Sequence, residues 1–249
     1  MFSSPRPIVQ LPESFQCASH AALTTPARIL SPAEVTEVVT GAVQHLGQRL
    51  AGTRFAISPF IAVGTTRMVL TVSAQDQNET FVVKVTAKEI LRHESNTQQT
   101  SLPTFQNDWV KRHIAIEEEV TFSGQRHVTV APFVTGETLL AHATQRGLSE
   151  REWDIAYKTI PTLMRAIWRE SRSPHDPRLG LLLDHHFDNI VVGVKQPPFH
   201  DAPRESTQRF VFVDGRDDGA YHSESALEDA VEDFRILFKR HAFVRNPWG

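Results

Sequence analysis

Leu181 to Val192 read LLLDHHFDNIVV. An apolar run ends at Asp184-His185-His186, and a second apolar run opens at Ile190. The polar segment between them admits two chemistries. In one, Asp184, His185 and His186 are adjacent metal ligands. In the other, Asp184 and Asn189 are the working pair and the histidines are only enclosed by them. The rest of the chain has to supply partners for one of the two.

Composition sets the limits first. The chain has 249 residues, 40% of them apolar and 22% charged, with a formal net charge of −3. That length suits one domain or two small lobes with ample material for a core. The charge carries no basic footprint of the kind nucleic acid requires, so no nucleic-acid partner is expected. The lone cysteine, Cys17, excludes an intramolecular disulfide and favours a reducing compartment. No apolar run approaches the ~20 residues of a membrane span, and the N-terminus lacks a secretory pattern. The expected location is the cytoplasm, with secretion of the type III kind as an alternative use of a Ser/Pro-rich N-terminus.

The chain falls into three parts: a flexible tail over 1–30, a β-rich lobe with a leading helix over 31–131, and a smaller, mainly helical lobe over 132–249. Residues 1–30 are rich in Ser, Thr and Pro without a sustained period, which reads as mobile or loosely docked chain. Ser31-Pro32-Ala33-Glu34 is a capping box with proline in the first turn. Val35, Val38, Val39, Ala42, Val43, Leu46 and Leu50 follow at helical spacing. Strands are expected in FAISPFIAVG, TRMVLTVS and TFVVKVTA, from Phe55 onward, then a helix around 88–99. Two more strands fit HIAIEEEVTF and HVTVAPFV. Ser149-Glu150-Arg151-Glu152 caps a long helix in which Pro161 is the expected kink. A final helix is expected from Ser225 to His241.

On these motifs the chain resembles the kinase-like superfamily, both protein kinases and aminoglycoside phosphotransferase-like kinases. The resemblance covers roughly residues 55 to 240. It implies an α+β, bilobal fold: an N-terminal antiparallel β lobe with one inserted helix, then a reduced, mainly helical C-lobe. It implies ATP and Mg²⁺ as cofactors, and it assigns roles by position. Lys84, inside FVVKV, would contact the ATP phosphates and pair with a helix glutamate. That glutamate is Glu94, with Glu89 as competitor. Gly64 stands where a phosphate-covering loop is placed, although the usual G-x-G-x-x-G is missing. Backbone groups around Ala131 to Phe133 would meet the adenine edge, and Gly136 would release the chain into the second lobe. Asp184 would orient the attacking hydroxyl. Asn189, five residues on, and Asp214, at the end of FVFVDG, would hold Mg²⁺. Leu182 stands where the family usually has histidine, and Asp214-Gly215-Arg216 replaces D-F-G.

The rival metal reading resembles the Asp-His-His phosphoesterases, which need an N-terminal Asp-x-Asp. The first 80 residues hold a single aspartate, Asp76, in a turn signal. His185 and His186 are therefore read as loop residues near phosphate. The expected reaction is transfer of the γ-phosphate of ATP to a hydroxyl, with a protein as acceptor. No Ala-Pro-Glu follows Asp214, which likens the second lobe to minimal bacterial effector kinases or small lipopolysaccharide-core kinases. A small-molecule or sugar kinase and a partner-binding pseudokinase are the alternatives. The sequence is silent on oligomeric state.

Overall fold

The computed structural model describes residues 8–13, 16–19, 30–46, 54–63, 67–75, 79–86, 105–115, 117–120, 128–145, 147–173, 175–195, 209–213 and 221–243. The chain divides into two compact units, one of residues 1–96, 117–133 and 196–201, the other of residues 97–116, 134–195 and 202–249.

In the first unit, period-two alternation builds a sheet with one face against a helix. Strands β1 (Ile8–Gln10) and β2 (Gln16–Ser19) precede helix α1 (Pro32–His45). Strands β3 (Arg54–Val63), β4 (Arg67–Ala74) and β5 (Glu79–Thr86) form an antiparallel meander. The β3–β4 register shifts between Ile57 and Ile61, around Pro59, which has no N–H to give the ladder. Ser31 caps α1 by the expected box: its hydroxyl accepts the Glu34 N–H at 3.4 Å, and Glu34 accepts the Ser31 N–H at 2.8 Å. Val35, Val38, Val39, Ala42 and Val43 pack on Met68, Leu70 and Val72 of β4 and Phe81, Val83 and Val85 of β5. Fully burying each such side chain contributes roughly 1.5–3 kcal/mol.

Residues 8–10 and 16–19, read from composition as mobile or loosely docked chain, pair in parallel with β3. They supply hydrogen-bond partners to the edge of β3 away from β4, which needs no hydrophobic period in the added segment.

The segment HIAIEEEVTF divides where one strand was expected. Asn107 caps a short helix, α2 (Asp108–Arg112), by accepting the Trp109 N–H at 2.9 Å. Beyond it, Phe212 N donates to His113 O at 2.9 Å and Ala115 N to Phe212 O at 2.8 Å. Lys195 Nζ bonds the carbonyls of Lys111 and Ile114 at 2.8 and 3.0 Å. Phe105, Val110 and Ile114 are buried in the core of the second unit. Only β6 (Glu118–Val120) joins the sheet, through β7 (Val128–Pro132), giving the order β3-β4-β5-β7-β6. Residues 105–115 group with the second unit. The helix expected around 88–99 lies outside the described residues.

The second unit continues with β8 (Val134–Thr138), α3 (Leu139–Gln145), α4 (Glu150–Glu170), β9 (Leu179–Leu181), β10 (Ile190–Lys195), β11 (Arg209–Phe212), β12 (Tyr221–Ser223) and α5 (Glu224–Phe243). Ile160, Leu163, Met164, Ile167 and Trp168 of α4 pack with Phe187, Phe234 and Phe238. Pro161 lies inside α4, which runs through it as one α-helix. None of the helices among the described residues is long and apolar enough to cross a membrane.

Gly136, expected at the release into the second lobe, sits mid-strand in β8 opposite Gly193 of β10. A Cβ on Gly193 would fall on the carbonyl of Thr135, and one on Gly136 on that of Val192. The two glycines let the strands close. Gly193→Ala is expected to cost about 1–3 kcal/mol, as overpacking against backbone does, read as a lower denaturant midpoint.

The cap of α4 makes stability depend on pH. The Ser149 hydroxyl and backbone N–H hold the Glu152 carboxyl below its usual range, with His142 adding to them. A depressed folded pKa contributes stability above the unfolded value and loses it as pH falls through the folded one. Ser149→Ala is expected to cost about 1 kcal/mol near neutrality. Its deficit relative to wild type should narrow in thermal melts as pH falls below about 4.

Candidate functional site

Two groups of residues carry chemistry, one in each unit. The first is built on β5. Val83 and Val85 face α1, so alternation sends Lys84 to the opposite face of the sheet. That face is closed too, since Lys84 is only 7% exposed. Its ammonium meets Glu117 Oε1 at 2.7 Å. Glu117 lies just before β6 and is itself buried. Its second oxygen accepts the Thr129 hydroxyl at 2.8 Å. Thr129 of β7 is the cross-strand neighbour of Lys84, as is Val69 of β4. Two steps of alternation from Glu119, which pairs with Thr129, bring Glu117 onto the same face. Val120 and Glu118 point to the other side, where Val120 joins the core and Glu118 lies 3.5 Å from His45 of α1.

Glu117 and Thr129 were given no role from the sequence. The signal for Glu117 was there in Glu117-Glu118-Glu119-Val120, where one apolar residue sets which carboxylates share a face. Finding the partner still needed the β6–β7 register, which no local pattern encodes. Glu94 and Glu89 lie outside the described residues, as do Gly64 and Asp214. Ala131 is buried in β7 opposite Val82, and Phe133 is half-buried just after that strand.

The second group is the loop from β9 to β10. Leu182 and Leu183 are buried and carry the chain to Asp184. Asp184 Oδ1 accepts the His186 N–H at 3.1 Å, and His186 Nε2 lies 3.9 Å from the same oxygen. This turn exposes His186 and leaves the Asp184 side chain 34% accessible. Phe187 anchors the loop: its ring sits edge-on to Phe234 and Phe238 of α5 at 5.5 and 5.8 Å. Residues Phe187–Asn189 form a 3-10 turn closed by Asn189 N donating to His186 O at 2.8 Å. Asn189 is half-buried and leads directly into β10. Its carbonyl accepts the Val213 N–H at 2.9 Å, one residue before Asp214. The loop thus joins Asp184 and Asn189 through two backbone turns on a buried phenylalanine. Among the described residues, no three His, Cys, Asp or Glu side chains gather as metal ligands.

No family model matches the chain, and no curated protein matches it. Among solved structures it is similar to the kinase domain of PknI from Mycobacterium tuberculosis, at 15% identity and a TM-score of 0.40, covering 61% of this chain and 55% of that one. A double mutant of that domain gives 15% identity and a TM-score of 0.40, covering 65% and 57%. A third solved kinase domain gives 16% identity and a TM-score of 0.38, covering 65% and 49%. The chain spans about half the length of these kinase-domain chains.

Proposed function

We propose that the chain is a kinase-like phosphotransferase that moves the γ-phosphoryl group of ATP to a hydroxyl on a protein. The observation that carries this reading is the buried Lys84–Glu117 pair on the third strand of the antiparallel meander. Burying two charges costs several kcal/mol per ion, and an apolar pair of similar volume is often as stable. Stability alone is therefore a poor reason for a lysine there, whereas a held ammonium is what nucleotide phosphates require.

The donor set fits the implied cofactors. Asn189 and Asp214 offer hard oxygen ligands, the type Mg²⁺ takes. When bound, ATP supplies the phosphoryl group and Mg²⁺ neutralises its charge. Lys84 holds phosphate oxygens, with Glu117 fixing the ammonium. Asn189 and Asp214 hold the cation. Asp184 accepts and orients the proton of the attacking hydroxyl. Positioning and charge neutralisation do most of the work in such a transfer. A protein acceptor is favoured by the accessibility of the Asp184 loop, where His186 is 74% and Asp184 34% exposed. The test is incubation of the chain with γ-labelled ATP and a cell lysate, beside Asp184→Ala. Label transferred by wild type alone supports the reading. ATP–Mg²⁺ binding without transfer to protein or small molecule would identify a pseudokinase, and no binding at all would overturn the nucleotide reading.

A further inference from the structure

The two oxygens of Glu117 are held from two different strands. Oε1 receives Lys84 of β5 at 2.7 Å, and Oε2 receives the Thr129 hydroxyl of β7 at 2.8 Å. Lys84 and Thr129 are directly paired across β5 and β7, so both side chains rise from one face of the sheet and converge on one carboxylate. All three are buried, at 7%, 6% and 1% exposure for Lys84, Glu117 and Thr129. The terminal torsion of a glutamate is soft. The Thr129 hydroxyl at the second oxygen opposes a turn about that torsion, and with it any turn that would carry the ammonium along.

We propose that Thr129 is a positioning residue: its hydroxyl orients the Glu117 carboxylate and, through it, the Lys84 ammonium that receives the nucleotide phosphates. The proposal rests on the nucleotide reading above and deepens it. Lysine, carboxylate and hydroxyl come from β5, the entry to β6 and β7, so among the described residues the pairing of these strands brings the three together.

The test uses the full chain: ATP–Mg²⁺ titration, steady-state transfer and thermal unfolding of wild type, Thr129→Val, Thr129→Ser and Thr129→Cys. Losing one hydrogen bond to a charged group predicts that Thr129→Val weakens ATP binding on the order of ten-fold. KM for ATP should rise in proportion while kcat holds, because the anchor acts on bound nucleotide before and during transfer alike. Thr129→Ser, which keeps the hydroxyl, should match wild type. Thr129→Cys is close to serine in size but a weak donor and should follow valine. That comparison decides the matter even if the valine variant does not fold. ATP affinity unchanged in Thr129→Val or Thr129→Cys overturns the proposal and leaves the nucleotide reading standing. Equal losses in the serine and cysteine variants overturn it as well, since packing would not track the hydroxyl. A wild-type chain that binds no ATP–Mg²⁺ overturns the nucleotide reading and the proposal with it.

Discussion

Lys84→Met lowers the unfolding free energy by about 3–5 kcal/mol, because it leaves the Glu117 carboxylate charged, buried and without its cation. Glu117 has side-chain exposure of 0% and Lys84 of 8%, so water cannot compensate either partner. Glu117→Leu is expected to cost a similar amount by removing the carboxylate that the buried ammonium meets at 2.7 Å. The double variant Lys84→Met/Glu117→Leu should recover most of the loss, since an apolar pair of similar volume replaces a buried ion pair at little or no net cost. A remainder of about 1–3 kcal/mol should persist, because Thr129 loses the acceptor of its hydroxyl. Adding Thr129→Val should remove that remainder, a coupling that only the full set of variants exposes. Urea denaturation of the variants reads these energies. ATP–Mg²⁺ titration of the same set reads the function: the double and triple variants should stay folded and bind no nucleotide. Restored stability together with wild-type nucleotide affinity would remove Lys84 from the site.

What the sequence made legible followed from local patterns. FVVKV announced its own geometry: alternation put Val83 and Val85 on the core face and left Lys84 on the other. The burial of Lys84 was not local, because it depends on what covers the second face. Its described partner depends on pairing between β6 and β7, two strands that share three register positions and are separated in the chain by residues 121–127. The alternation in His113-Ile114-Ala115 was real but was satisfied elsewhere, against Phe212 of β11 rather than in the sheet that holds β6. A helix of five residues, α2, offers too few positions for a period to show, and only the Asn107 cap marks it. Gly136 is hard to read for a related reason: it closely approaches Gly193, more than 50 residues away, and a single sequence shows a turn glycine and a close-approach glycine alike. The strands at 8–10 and 16–19 were hidden because edge pairing uses backbone, which composition does not record.

The Asp184–Asn189 spacing was legible for the opposite reason: both residues belong to one short loop. That locality shapes the second large effect. Asp184→Ala is expected to lower kcat by about 10²–10⁴, the range for losing a group that handles a proton in the transition state. ATP affinity should stay near that of wild type, because no role in holding phosphate falls to this carboxylate. Among the described residues its one hydrogen bond is Oδ1 accepting the His186 N–H at 3.1 Å, on an accessible side chain. Asp184→Asn retains that acceptor, so the loop keeps its turn and the melting temperature should match wild type. The carboxamide cannot take a proton, so kcat should fall as far as in the alanine variant. Equal loss of kcat in both variants, with stability lost only in alanine, assigns the effect to chemistry. Full activity in Asp184→Asn would reduce Asp184 to a turn residue. His186 is tested by the same logic. His186 contributes a backbone N–H to this turn, and its ring is exposed, so His186→Ala should leave kcat and stability unchanged. Unchanged kcat in His186→Ala would exclude its ring from the loop's chemistry.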